Sequence, residues 1–125
     1  MKKLLGVAAV IEAATGIALM IYPLLVVVLL LGVGVSGPGI ALGRVAGFAL
    51  LSLGLACWPN LDSAGANIPA LRALLTYNLL VTLYLAYLGI DGQWVGSLLW
   101  PAVALHAVLT FLLARAWFAG VGVRQ

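Results

Sequence analysis

The stretch LLGVAAVIEAATGIALMIY, residues 4–22, decides the fold class. It is an apolar run of bilayer length, since a helix rising 1.5 Å per residue needs about 20 such residues to cross the hydrocarbon core. One ionisable group, Glu12, stands in its middle. A carboxyl at that depth is costly unless a partner answers it, so Glu12 is a candidate functional residue that calls for a named neighbour. Pro23 ends the run.

Three more segments have the same character. One extends from about Gly39 to Trp58 and stops at Pro59-Asn60. Another extends from Pro69, well placed as a first-turn residue, to about Gly89. The last covers about Val95 to Phe118, and Pro101 inside it is expected to kink the helix near Ser97–Leu98. Between Pro23 and Gly34 the chain is harder to place. Leu24–Leu31 is apolar but too short to span, and Gly32, Gly34, Gly37, Pro38 and Gly39 then break the helical pattern. A short helix at the interface or a re-entrant dip packed on protein fits this stretch, with a first helix that slides past Pro23 as the alternative. The expected architecture is all-α: a polytopic membrane protein, one transmembrane domain over residues 1–125. Its four-helix bundle has spans near 4–22, 39–58, 69–89 and 95–118, with a short interfacial or re-entrant segment between the first two.

Composition excludes the main alternatives. Hydrophobic residues make up 66% of the chain and charged residues 7%, with a mean hydropathy of +1.26. Soluble domains carry about a quarter charged residues, so an ordinary water-facing surface cannot be built here. The net charge of +3 comes from Lys and Arg at the ends of apolar runs, which suits lipid headgroups and leaves no basic face for nucleic acid. A single cysteine, Cys57, rules out an intramolecular disulfide or a cysteine-rich metal site and reads as an inert packed thiol. Met1-Lys2-Lys3 before an apolar run resembles a signal peptide, but no A-x-A-like site closes it; an uncleaved first helix is expected. No GxSxG, HExxH or phosphate loop and no haem-binding pair occurs, so neither enzymatic chemistry nor a cofactor nor a bound metal is expected.

Orientation follows the basic residues. With both termini inside, Lys2, Lys3, Arg72, Arg115 and Arg124 fall on the inner side and only Arg44 on the outer, which the positive-inside rule favours. Trp58, Trp94, Trp100 and Trp117 fall near span ends, as interfacial anchors do. Asp62 and Asp91 read as solvated loop residues.

The second spanning helix carries Gly39, Gly43, Gly47 and Gly54 within one sector of about 80°. Such a strip lets another backbone approach closely. Packing inside this chain's own bundle and a homodimer seam are both consistent with it.

Polar residues form a layer. Glu12, Asn78 and His106 each fall near the middle of their segments, and each has a threonine on its own face: Thr15, Thr82 and Thr110. Ala8, Ala9 and Gly16 mark the side of the first helix around Glu12 as close-packed. Arg44 enters from one end, about 7 Å from the midplane by the helical rise. Its long arm is expected to reach the Glu12 carboxylate. One reading is a Glu12–Arg44 ion pair whose leftover hydrogen bonds are met by Asn78 and His106, a network that specifies one helix arrangement. Another is a proton- or cation-responsive site with Glu12 as carrier and His106 as relay. A third is a headgroup, quinone or hydrophobic molecule held between helices. Tyr77, Tyr84 and Tyr87 read as packing or an interfacial belt.

The pattern Gly43-Arg44-x-x-Gly47-x-x-Leu50-Leu51-x-Leu53-Gly54 has Glu12 and Pro23 before it. With Tyr84-Leu-Ala-Tyr-Leu-Gly89 and Leu99-Trp-Pro-Ala-Val-Ala-Leu-His106 after it, the chain resembles small uncharacterised four-helix bacterial membrane proteins over most of its length. That resemblance implies the four-span fold and a bacterial inner (cytoplasmic) membrane. Gly6-Val-Ala-Ala-Val-Ile-Glu12-Ala-Ala-Thr-Gly16 resembles the first helix of small multidrug resistance transporters, over that helix only. It implies a membrane glutamate that binds protons and cationic drugs. The expected function is therefore a structural or accessory membrane protein, or a subunit of a larger membrane complex, whose partners are the lipid bilayer and other membrane subunits or a second copy. The alternative is a proton-coupled small transporter or a hydrophobic-ligand-binding bundle that uses Glu12 and His106.

Overall fold

The computed structural model describes residues 1–60 and 65–122; Asp62 and Arg124 lie outside them. Five α-helices follow in order: α1 (Lys2–Ile21), α2 (Pro23–Leu31), α3 (Pro38–Ala56), α4 (Ile68–Asp91) and α5 (Leu99–Gly122). Four of them, all but α2, are long and apolar enough to cross a membrane. In lipid every backbone group must find its partner inside the chain, which is why such apolar runs take up helix throughout. The chain is a small all-α membrane protein.

Proline stands at the start of α2, α3 and α4, and glycine ends α2 and α4. Prolines fall in the first two positions of α2, α3 and α4, where a missing N–H costs nothing because it has no intrahelical partner there. Pro101 serves α5 in the same way. The helix begins at Leu99 rather than near Val95, so Pro101 lies in its first turn and causes no kink within the span. Asp91, expected in a loop, is the last residue of α4. Gly32 after α2 and Gly92 after α4 take left-handed φ values of 73° and 78°, and their N–H groups return to Val28 and Leu88. That conformation favours glycine. At Tyr22 the chain leaves helical geometry (φ −129°, ψ 59°), as a residue preceding proline tends to do. The first helix thus does not slide past Pro23.

The four long helices assemble as two pairs. α1 packs along α3, α4 packs along α5, and the two pairs meet sparsely. The glycine strip makes the first pairing. A methyl group added to Gly47 would lie 2.6 Å from the Gly16 carbonyl oxygen, and one added to Gly54 would lie 2.6 Å from that of Ala9. Gly43 faces Pro23, while Gly39 faces only Val35 of the preceding loop. The strip is consumed inside the chain, which leaves no glycine seam on Gly47 and Gly54 for a second copy.

One apolar cluster joins the two pairs, and a second, at the opposite end, joins α4 and α5 to α2. Leu5, Ala8, Cys57, Leu71, Leu74, Leu109 and Leu113 form one at the N-terminal end of α1, with the Cys57 thiol buried among them. Leu85, Leu88 and Leu99 form the other, with Leu30 and Leu31 of α2 packed on it. There α2 is also tied to the α4–α5 loop: the Gly96 N–H donates to Leu30 O at 3.0 Å and the Leu98 N–H to Leu29 O at 2.8 Å. The α3–α4 connection is closed by Asn67, whose side chain is buried and pairs with both the N–H and the C=O of Asn60. Elsewhere large apolar side chains such as Leu42, Phe48, Leu83, Phe111 and Phe118 stand exposed, as lipid-facing positions should.

Candidate functional site: a polar bridge beneath an apolar cavity

The polar layer lies where the two helix pairs meet, between the two apolar clusters. Asn78 of α4 is its centre and is wholly buried. Its Nδ2 donates to Leu74 O at 2.9 Å and, over a longer 3.4 Å, to Oε1 of Glu12 on α1. Its Oδ1 stands 2.7 Å from Nδ1 of His106 on α5. Glu12, Asn78 and His106 are therefore one bridge linking three helices. Glu12 is 1% exposed, and its Oε2 has no hydrogen-bond partner within the described residues.

Arg44 is not part of the bridge. It is exposed on α3 and forms no ion pair with Glu12. The expected pair fails on helix register. Gly54 packs at Ala9 and Ala13, Gly47 at Gly16 and Met20, and Gly43 at Pro23. In this antiparallel register Arg44 is level with Tyr22 and Pro23, about ten residues or roughly 15 Å along the axis from Glu12. Glu12 also faces α4, whereas Arg44 projects from α3, and neither end of the pair can reach the other. Segment midpoints placed the two residues too close in depth.

The three threonines are spent locally. Thr15 donates to Ile11 O at 2.9 Å, Thr82 to Asn78 O at 2.7 Å and Thr110 to His106 O at 2.8 Å. Each hydroxyl donor returns to the carbonyl one turn back, a common resolution for hydroxyls in apolar helices. They extend their own helices' hydrogen bonding and do not lengthen the bridge.

Tyr77 is the residue that sequence reasoning left out of the site. Its ring meets the His106 imidazole edge-on, with centroids 6.0 Å apart and planes at 76°, and its hydroxyl lies close enough to Glu12 for the two groups to interact. The available signal was its position next to Asn78, which puts it on the flank of the same face. Tyr84 and Tyr87 instead stack on each other, with centroids 6.4 Å apart, and are largely exposed.

Above the bridge, toward α2, the two pairs separate around a cavity of about 820 Å³. Its walls come from Ile11 to Leu19 of α1, Tyr77 to Leu85 of α4 and the stretch from Leu98, just before α5, to His106. Each stretch is nine residues long, roughly 12 Å from first to last. Ala46, Ala49 and Leu50 of α3 complete one side, and Val26 to Leu31 of α2 lie across the far end. The lining is apolar except at the floor, where Thr15, Tyr77 and His106 gather, and near the top, where Tyr84 contributes. No Asp, Glu, Lys or Arg is part of it. Glu12 stands just behind the floor.

No family model, characterised protein or solved structure matches the chain. The bundle, the bridge and the cavity define it as a small four-span membrane protein, and its role rests on this geometry.

Proposed function

We propose that this protein binds a membrane-dissolved apolar molecule in the cavity between its helix pairs. The observation that carries the reading is the cavity's combination of size and lining. Its volume lies within the roughly 300–1,000 Å³ of small-molecule sites, and such sites pair apolar walls with a few convergent polar groups. Here the walls are aliphatic, and Thr15, Tyr77 and His106 sit together at one end with Tyr84 near the other.

A site that exchanges protons or cations with water is less well supported. Glu12 is buried and does not line the cavity, and a charged ligand would enter a space without a countercharge on its walls. A homodimer through the glycine strip is likewise disfavoured, because Gly47 and Gly54 already pack on α1. The reading implies that lipid-soluble molecules reach the site from the bilayer. Lys2, Lys3, Arg72 and Arg115 gather at the end opposite α2, so the proposed orientation places that end on the cytoplasmic side and the cavity in the outer half.

Photo-crosslinking tests the binding. A long-chain probe bearing a diazirine, added to purified protein in nanodiscs, should label peptides from α1, α4 and α5. Filling the space with Ala18→Phe or Ala102→Phe should suppress the labelling. Labelling confined to lipid-facing peptides, and equal in the filled variants, would retire the reading.

A further inference from the structure

The bridge determines which atoms the cavity floor can offer to a ligand. Leu74 O can only accept a hydrogen bond, so the Asn78 atom 2.9 Å from it must be the amide nitrogen. The same nitrogen faces Glu12. With the amide orientation fixed, the Asn78 atom facing His106 is Oδ1, which again can only accept. His106 Nδ1 must therefore carry its proton, and in the neutral imidazole Nε2 is then a bare acceptor. Nε2 has no partner among the described residues, and the residue lines the cavity. A backbone carbonyl on α4 thus sets the hydrogen-bonding character of a histidine on α5. The edge-on Tyr77 ring limits how that imidazole can turn.

Resting on the cavity reading above, we propose that the ligand is an uncharged long-chain or terpenoid alcohol, or a phenol with an apolar tail. Its hydroxyl donates to His106 Nε2 and its tail lies toward α2. Three features select this class. The free floor atom is an acceptor, so the ligand supplies the donor. No charged residue lines the space, which disfavours carboxylates and ammonium groups. The polar floor lies near the middle of the spans with aliphatic walls above it, so only a small, lightly hydrated head can be carried to that depth. A phospholipid headgroup does not meet this condition.

The sole histidine of the chain makes the test direct. Full-length protein with ¹⁵N-labelled histidine in nanodiscs, at about pH 8 and so above the ordinary titration range of the imidazole, gives one pair of ring-nitrogen signals. They should report the Nδ1–H tautomer. Adding dodecanol should move the Nε2 signal, while dodecyl methyl ether, which has no donor, should not. In competition with the photo-probe the alcohol should bind roughly tenfold more tightly than the ether, the upper end for a single neutral hydrogen bond. His106→Phe should remove that preference while keeping binding of both. If His106→Phe fails to fold, the spectra and the alcohol–ether ratio of the parent protein decide alone. Equal binding of alcohol and ether, tighter binding of dodecanoate or dodecylamine, or an Nε2–H tautomer would each overturn the inference while leaving the cavity reading in place. Failure of every chain to compete would overturn both.

Discussion

Asn78 and His106 stand 2.7 Å apart, Oδ1 to Nδ1, on two helices of one pair, while the Asn78 amide nitrogen reaches Glu12 on the other. One side chain therefore serves both the cohesion of the bundle and the state of the cavity floor. Asn78→Ala should leave the Glu12 carboxyl and the His106 Nδ1–H buried without their partner. A buried polar group left unsatisfied costs about 1–3 kcal/mol, and single interhelical hydrogen bonds in membranes average nearer ~0.6 kcal/mol. The expected loss is about 1–3 kcal/mol in reversible SDS unfolding, with loss of the single-tautomer histidine spectrum. Thr110→Ala, which removes only a hydroxyl bonded to its own helix, should cost less than about 1 kcal/mol by the same measure.

The glycine strip predicts a stability effect without a change of assembly. In Gly47→Ala and Gly54→Ala the new methyl meets a backbone carbonyl of α1 at 2.6 Å. Backbone cannot rotate aside as a flexible side chain can, so α1 and α3 must separate at a cost of about 1–3 kcal/mol or more. Gly120→Ala is the control, because nothing lies within 4 Å of its added methyl. Mass measurement in detergent should give the same oligomeric state for all three. A shift in assembly for Gly47→Ala, with unfolding unchanged, would assign the strip to a partner helix instead.

Arg44 should prove energetically independent of Glu12. Exposed substitutions away from packed features usually fall within about 0.5 kcal/mol, and Arg44→Gln is expected there. Glu12→Gln keeps an oxygen to accept from Asn78 and should be mild as well. In the double-mutant cycle the coupling between the two sites should stay below about 0.5 kcal/mol. A coupling well above that value would restore the ion pair.

Orientation is tested by labelling. In a Cys57→Ala background, Gln93→Cys at the α2 end should react with an impermeant thiol reagent from outside, and Asn60→Cys should be protected. Both positions are exposed in the fold. The opposite pattern would invert the arrangement inferred from Lys2, Lys3, Arg72 and Arg115.

The spans were legible because the bilayer imposes one length scale and one solvent on every segment: residues 4–22 could scarcely be anything but a crossing helix. Glu12, Asn78 and His106 could be brought together on depth alone, since each lies near its segment's midpoint. The same method misjudged Arg44 because midpoints ignore the stagger between helices, and here the close contacts of Gly47 and Gly54 set the α1–α3 register. Pro101 was misread because the start of α5 depends on the tertiary hydrogen bonds of Gly96 and Leu98 to α2, which local propensity does not contain. The cavity was not legible at all. It exists because the pairs α1–α3 and α4–α5 are each tight and only loosely joined, a property of packing between segments far apart in sequence.

The join between α2 and the α4–α5 loop should govern retention of whatever the cavity holds. Gly96 lies directly against the Leu29 and Leu30 backbone, and a methyl group there would run into the Leu29 carbonyl. Its N–H and that of Leu98 provide the two backbone bonds that tie the end of α2 down. Gly96→Ala should break this contact while leaving the α1–α3 strip and the Asn78 bridge intact. In hydrogen exchange the amides of residues 96 and 98 should lose protection, while those around Asn78 keep theirs. A bound photo-probe should dissociate faster, with the equilibrium unfolding cost about 1–3 kcal/mol. If the amides at 96 and 98 stay protected and probe release is unchanged, α2 is not what closes the cavity. The ligand would then have to leave sideways between the helix pairs, past Tyr77 and Leu80.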